Sequence, residues 1–447
     1  MQGLLRHTPR VDAPAPLTAT VSGMDRFHIA GPTPLVGKVR ASGAKNAALP
    51  ALAATLLTDE TVVLHRVPRV RDIRTMRRLL AHLGMGSEDR EGGEIVLRRQ
   101  SADGSSEDAP YDLVKTMRAS VLVLGPQLAK RGFARVSLPG GCAIGVRPID
   151  QHLKGLAALG AEVKISHGYV EARASRLAGA RFRFDMPTVT GTENVLMAAT
   201  LAHGTTVLEN CAREPEVVDL AELLVAMGAR IYGAGEETMT IEGVDGLGSA
   251  RHVIIPDRIE GGTYLIGAAL TGGDVLLEEA RAADLAPLLE KLAATGVEVE
   301  VSAQGIRARS RGTLRSADCD TAPHPRFPTD LQAQYMALMT QAEGVATIRE
   351  TIFENRFQHA PELARMGADV RVDGSSARVH GPRALSGANV MATDLRASAC
   401  LVLAGCAAEG ETVVERIYHL DRGYEGMELK LQSLGARVAR KADTPAA

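Results

Sequence analysis

Six times along 447 residues, an apolar-periodic helix pattern runs into a glycine stop and then into a strand pattern. The stops read Leu83-Gly84, Leu159-Gly160-Ala161, Met227-Gly228-Ala229, Thr295-Gly296-Val297, Met366-Gly367-Ala368 and Leu434-Gly435-Ala436. Their glycines lie 76, 68, 68, 71 and 68 residues apart. Glycine just past the last apolar helical position supplies a left-handed C-cap that turns the chain into a strand. A short hairpin is expected next: Val163 to Ala172 alternates around His167-Gly168, and Asp369 to Val379 turns at Asp373-Gly374. Strand patterns such as Thr205–Asn210 and Glu411–Arg416 precede the helices. Each unit is a mixed helix-and-strand piece of roughly 70 residues, too small to bury its own apolar face. Solenoid repeats usually run to about 20–50 residues, so two domains of three units fit better than a repeat surface. The boundary is expected near Gly248-Ser249-Ala250, and the early strand Phe27 to Ala41 suits either half. Two such domains leave a cleft between them, a common place for a ligand.

A net charge of -2, no Trp and 3% aromatic residues give no reason to expect a nucleic acid or an anionic membrane as partner. The five cysteines, Cys142, Cys211, Cys319, Cys400 and Cys406, form no CxxC pair and no Cys/His cluster with metal-ligand spacing. Free thiols in a reducing cytoplasm are expected, with neither metal nor cofactor. No run of 18 apolar residues occurs, since Asp394 and Arg396 interrupt Met391–Ala408. Met1–Gly23, rich in Ala, Pro and Thr and lacking an apolar h-region, reads as a disordered lead-in. No heptad suggests self-association, so a monomer is expected.

Chemistry is expected in the segments that the repeat leaves unexplained. Leu138 to Pro148 is a Gly- and Pro-rich loop carrying Cys142, with Arg147 five residues later. A thiol near fixed positive charge ionises more easily than a free one, whereas Cys142 as a merely small turn residue is the plainer alternative. Ala41 to Pro50 places Lys45 and Asn46 at the start of an apolar helix, where exposed amides and a lysine suit an anion; a solvated lysine is the alternative. Arg118 opens the apolar stretch Ala119–Pro126, where an unpaired guanidinium would be costly. The prolines of Ala322 to Pro328 deliver Asp330 to a helix start, either as a cap or as a reactive carboxylate. Phe353 to Phe357, Met391 to Ser398 and Asp421 to Tyr424 add Arg356, Arg396 and Arg422. If Lys45, Arg118, Arg147, Arg356, Arg396 and Arg422 converge, the ligand is multiply anionic, phosphate with carboxylate, and Asp330 and Cys142 handle protons. The residues alone suggest an enzyme acting on phosphorylated, carboxylated small molecules and do not name the reaction.

In order, SGAKNAALP at 42–50, APYDLVKTMRAS at 109–120, SLPGGCAIGVRPID at 137–150, AREPEVVDLA at 212–221, TAPHPRFPTDLQAQ at 321–334, ENRF at 354–357, MATDLRASA at 391–399 and RIYHLDRGYE at 416–425 resemble the UDP-N-acetylglucosamine enolpyruvyl transferases. The likeness runs from about Met24 to Val438. It implies a mixed α/β fold of two inside-out α/β barrel domains, each of three repeated units. Residues 24–44 with 250–447 would form a discontinuous first domain, and 45–249 a second domain carrying the Cys142 loop.

The resemblance implies transfer of enolpyruvate from phosphoenolpyruvate to the 3′-hydroxyl of UDP-N-acetylglucosamine with release of phosphate, the first committed step of peptidoglycan synthesis. Cys142 would protonate the methylene carbon of phosphoenolpyruvate, and Asp330 would accept the proton of the sugar hydroxyl. Lys45, Asn46, Arg118, Arg147, Arg396 and Arg422 would hold phosphoenolpyruvate and its developing charge. Arg147, Pro148, Ile149, Asp150, Gln151, Thr188, Val189 and Ile352 would contact the UDP-sugar, with Arg356 and Asp394 completing the substrate-binding set. The Cys142 loop would close as a lid once the UDP-sugar is bound, and its thiol would be alkylated by the epoxide antibiotic fosfomycin. Met186-Pro187 departs from the family, many of whose members carry a basic residue there. Two alternatives stand beside this reading: the sister transferase acting on shikimate 3-phosphate, and a non-catalytic UDP-sugar-binding protein.

Overall fold

The computed structural model describes residues 25–100, 108–138, 144–145 and 148–442. The expected lead-in 1–23, Cys142 and Arg147 lie outside the described residues. The six repeated stops are present as read. Helices Arg71–His82, Asp150–Ala158, Pro215–Ala226, Ala282–Ala294, Ala360–Arg365 and Met427–Ser433 precede them. Gly84, Gly160, Gly228, Gly296, Gly367 and Gly435 all have φ between 84° and 107°, the left-handed conformation that terminates a helix without Cβ strain.

A second set of helices forms the interior: Lys45–Ala54, Leu124–Arg131, Val189–Ala199, Arg258–Leu270, Gln332–Met339 and Leu395–Ala407. Ala47–Ala54, Gly191–Ala199, all of Gln332–Met339 and Arg396–Cys406 are buried around their whole circumference. A helix with no polar face belongs in a core, and the many Ala, Gly and Thr residues let these helices approach one another closely. The strands surround them. Among the described residues they form six four-stranded sheets of one design: an edge strand parallel to its neighbour, then two antiparallel steps. The hairpins pair Glu162–Ser166 with Tyr169–Arg173 and Asp369–Asp373 with Ser376–Gly381.

The buried apolar residues divide into two clusters. One gathers Phe27 to Ala41 with Ile259 to Val438, and the other runs from Ala44 to Ile255. Strand Arg26–Gly31 lies between Gly410–Glu415 and Arg437–Lys441, antiparallel to both, so the early strand closes the last unit. Val36–Arg40 is the parallel edge of the sheet built on Asp274–Glu278. Ala250–Val253 pairs in parallel with Val62–His65 and so completes a sheet of the second core, and the return crossing follows it. At the crossings the two chain segments bind each other: Ala44 N–H donates to Ile255 at 2.7 Å and Asp257 N–H to Ser42 at 2.8 Å. Gly43 is required between them, because a Cβ there would sit 1.7 Å from the Arg66 carbonyl oxygen. Among the described residues, no helix is long and apolar enough to cross a membrane.

Candidate active site at the seam between the two cores

Asp330 sits in the 3-10 turn Thr329–Leu331, ahead of helix Gln332–Met339, and makes no cap. Its carboxylate instead accepts from Arg356 Nη2 at Oδ1 and from Arg396 Nη2 at Oδ2, each at 2.9 Å. Both arginines are almost fully buried, at 4% and 5% side-chain exposure. Burial alone would raise the Asp330 pKa, but the Arg396 and Arg356 guanidiniums outweigh it and hold the carboxyl well below its usual range. Arg396 also lies over the Tyr424 ring at 5.5 Å, and the Tyr424 hydroxyl is fixed by Thr263 at 2.9 Å and by the Gln334 amide at 3.2 Å. Asp394 is the N-cap of helix Leu395–Ala407, accepting from the N–H groups of Arg396 and Ala397, and so sets the backbone from which Arg396 projects.

Lys45 is the first residue of its helix, and its backbone N–H donates to Asp257 at 3.3 Å. Its ammonium donates to Asp72 Oδ2 at 3.3 Å. Burial pulls the Lys45 pKa down; Asp72 opposes this, Arg396 and Arg422 add to it, and Asp330 raises it slightly. Arg422, in the 3-10 segment Ile417–Arg422, reaches Asp72 from the other core, Nε to Oδ1 at 3.0 Å. Lys45, Asp330, Arg356, Arg396 and Arg422 are therefore brought into one charged group at the seam.

Other expected residues form a neighbouring group on the second core. Arg118 opens the 3-10 segment Arg118–Val123, near enough to buried His152 to help hold that imidazole neutral; burial is the larger cause, and its pKa falls to about 3. Asn194 joins its own helix to three other elements. Its oxygen accepts from Gly125 N–H at 2.6 Å, and its amide donates to the Val121 carbonyl and to His152 Nδ1, each at 2.9 Å. The segment holding Arg118, the helix holding Asp150 and Gln151, and the helix started by Thr188 and Val189 are thus tied together. Gln151 is further set by Asp185, whose backbone N–H it accepts at 2.9 Å, and Thr188 caps its helix by accepting from Gly191 at 3.3 Å. Pro148 is exposed and Ile149 half-buried beside them, while Asn46 is half-buried next to Lys45. On the first core, Ile352 N–H donates to Glu350 at 2.8 Å, and nearby Asn355 N–H donates to the Ile144 carbonyl at 3.1 Å. The described end of the Cys142 loop therefore meets the ENRF segment.

Sequence reasoning missed the acidic partners. Asp72 lies in the first turn of its helix, where an acidic residue is ordinary, so no local signal marked it. Glu216 and Glu214, in the otherwise unexplained AREPE motif, also bridge the cores: Glu216 takes both Nε and Nη2 of Arg258, at 3.0 and 3.2 Å, and Glu214 accepts from the His324 N–H at 3.3 Å. The arrangement offers buried positive charge for a phosphate and a carboxylate, beside one carboxylate able to take a proton.

A family profile described as EPSP synthase (3-phosphoshikimate 1-carboxyvinyltransferase) matches residues 29–431. Over 419 residues, 93% of this chain and 100% of the relative, the chain is 58% identical to a UDP-N-acetylglucosamine 1-carboxyvinyltransferase from Solibacter usitatus (strain Ellin6076). A protein of the same name from Koribacter versatilis (strain Ellin345) is 57% identical over 420 residues, 93% of this chain and 96% of that one. The chain belongs to the UDP-N-acetylglucosamine 1-carboxyvinyltransferase family. As a member of this family it shares the enolpyruvyl transferase fold. The enolpyruvyl transferase NikO from Streptomyces tendae matches with a TM-score of 0.84 at 28% identity, over 94% of this chain and 100% of that one. An EPSP synthase from Acinetobacter baumannii matches at a TM-score of 0.72 with 18% identity, over 93% of this chain and 100% of that one, a likeness of fold alone.

Proposed function

We propose that this enzyme transfers the enolpyruvyl group of phosphoenolpyruvate to the 3′-hydroxyl of UDP-N-acetylglucosamine and releases phosphate, the first committed step of peptidoglycan synthesis, in the cytoplasm. The observation that carries the reaction class is the convergence of Lys45, Arg396 and Arg422 with Asp330 at the seam. Phosphoenolpyruvate bears a phosphate and a carboxylate on one small frame, and clustered cations bind that charge density best. The relatives, 57–58% identical over nearly their whole length, choose UDP-N-acetylglucosamine over shikimate 3-phosphate as the acceptor.

In this reading Lys45, Asn46, Arg118, Arg147, Arg396 and Arg422 hold phosphoenolpyruvate. Pro148, Ile149, Asp150, Gln151, Thr188, Val189 and Ile352 line the UDP-sugar side, with Arg356 and Asp394 completing the set. Asp330 takes the proton of the 3′-hydroxyl as that oxygen bonds to the central carbon of phosphoenolpyruvate, and Cys142 protonates its methylene carbon. The bond from the central carbon to the phosphate oxygen then breaks, and the methyl group returns a proton to restore the double bond. A carboxylate gripped by two guanidiniums is a weak base. The anionic substrate neutralises part of the charge on Arg396 and Lys45, so the proton affinity of Asp330 rises only once phosphoenolpyruvate is bound. Both sides of the site come from one polypeptide, so a monomer suffices.

The test is phosphate release from phosphoenolpyruvate with UDP-N-acetylglucosamine and, separately, with shikimate 3-phosphate. Release with the UDP-sugar alone, lost in Cys142→Ala, supports the reaction. Release with shikimate 3-phosphate alone overturns the acceptor, and UDP-sugar binding without any release overturns catalysis.

A further inference from the structure

Asp72 is 5% exposed and does not cap its own helix: the N-cap position is Val70, and no side-chain cap is made there. Its two oxygens face outward from the second core instead. Oδ2 accepts from Lys45 Nζ at 3.3 Å and from Arg422 Nη2 at 3.5 Å, while Oδ1 accepts from Arg422 Nε at 3.0 Å. Lys45 and Asp72 belong to the second core, whereas Arg422, 350 residues further along than Asp72, belongs to the first. One buried carboxylate thus bridges two cations that come from opposite sides of the seam. Without it, the largely buried Lys45 ammonium and the partly exposed Arg422 guanidinium would face each other across the seam with no carboxylate between them, and their repulsion would push them apart.

We propose that Asp72 is a positioning residue of this enzyme: it touches no substrate, and it holds the Lys45 ammonium and the Arg422 guanidinium at the separation that receives the phosphoenolpyruvate anion. The inference rests on the reading of Lys45 and Arg422 as phosphoenolpyruvate ligands. It also makes the charge of Lys45 depend on Asp72. The groups facing the ammonium are Asp72 on helix Arg71–His82, Arg396 on helix Leu395–Ala407, Arg422 on Ile417–Arg422 and Asp330 on Thr329–Leu331, with Asp257 on the Lys45 backbone. Asp72 is the nearest negative charge, so a neutral residue in its place lets the buried ammonium lose its proton at lower pH.

The experiment compares Asp72→Asn, Asp72→Glu, Lys45→Ala and Arg422→Ala for UDP-N-acetylglucosamine affinity by calorimetry and for kcat/KM toward phosphoenolpyruvate across pH. Asp72→Asn is expected to bind the UDP-sugar within about threefold of the parent, lose about 30-fold or more in kcat/KM, and show its alkaline limb about one pH unit lower. Asp72→Glu, which keeps the charge, restores the limb and most of the rate. An alkaline limb that stays in place in Asp72→Asn overturns the proposal, as does parental kcat/KM in that variant while Lys45→Ala and Arg422→Ala lose theirs. Equal loss of UDP-sugar binding in Asn and Glu variants, with lowered melting points, overturns it in favour of a purely structural role. Parental kinetics in Lys45→Ala and Arg422→Ala instead remove the underlying assignment of the ligands, and the inference with it.

Discussion

The Arg396 guanidinium donates to the Asp330 carboxylate at 2.9 Å, joining helix Leu395–Ala407 to the turn that starts helix Gln332–Met339. Arg356 occupies the other carboxylate oxygen. Burial raises the proton affinity of Asp330, and the two arginines reverse it. In Arg356→Ala burial regains ground and the Asp330 pKa moves up. A base works only when ionised, so the acid limb of kcat moves to higher pH, by about one unit or more. A pH profile of kcat with saturating substrates checks this; a limb that does not move counts against Asp330 as the base.

The four described cysteines are buried. Burial pushes the thiols of Cys211, Cys319 and Cys406 up to about 12 and raises that of Cys400 as well. Such thiols are inert near neutral pH. A thiol reagent at pH 7.5 is therefore expected to add one equivalent to the folded protein, at Cys142, and five to the unfolded chain. Fosfomycin with UDP-sugar should modify the same residue. Intact and peptide masses check both, and a second labelled cysteine in the folded protein contradicts the assignment.

Asn194 is fully buried and satisfies Gly125, Val121 and His152 at once. Asn194→Ala removes the side-chain partner of the Gly125 N–H and of His152 Nδ1 and leaves the Val121 carbonyl only the Leu124 N–H, a cost of about 2–4 kcal/mol. Denaturant unfolding measures it. Because Arg118, Gln151 and Thr188 lie on or at the ends of elements that it ties together, the KM for UDP-N-acetylglucosamine should rise in the same variant.

Acid stability should follow two groups. His152 is held neutral by burial and by Arg118, with a pKa of about 3 against an unfolded value of about 6.5. The unfolded chain takes up a proton first, so stability is full above about pH 6.5 and falls steadily toward pH 3. Asp274, bound by Arg307 and Arg309, is held down to about 2, so the stability it adds is present above about pH 4 and is lost between there and pH 2. Unfolding titrations of Asp274→Asn should show a deficit at neutral pH that disappears by pH 2.

The glycine stops, hairpin turns and outer helices were legible in the sequence because each is a local event: a helix face ends, and a residue without Cβ turns the chain. Of the inner helices, those after Lys45 and Asp330 were legible from their starts, and the others were harder to read. Leu395–Ala407 is buried almost all round, and a mostly apolar run carries little period to distinguish a central helix from a buried strand. Where the chain returns to the first core is likewise not a local event. Ala250–Val253 reads as a strand wherever it lies, and only its pairing with Val62–His65 assigns it to the second core.

Lys45, Asp330, Arg356, Arg396 and Arg422 drew attention in the sequence because charge in apolar or turn surroundings is costly and needs a purpose. Their partners carried no such mark. An aspartate in the first turn of a helix looks the same whether it favours the helix dipole or, like Asp72, bridges two cations from opposite cores. Sequence by itself determined the repeating unit, the helix ends and the types of charge available, all set by interactions within a few residues. Tertiary structure alone decided which charges meet, because a contact such as Asp72 with Arg422 spans 350 residues and exists only when two separately packed cores are docked.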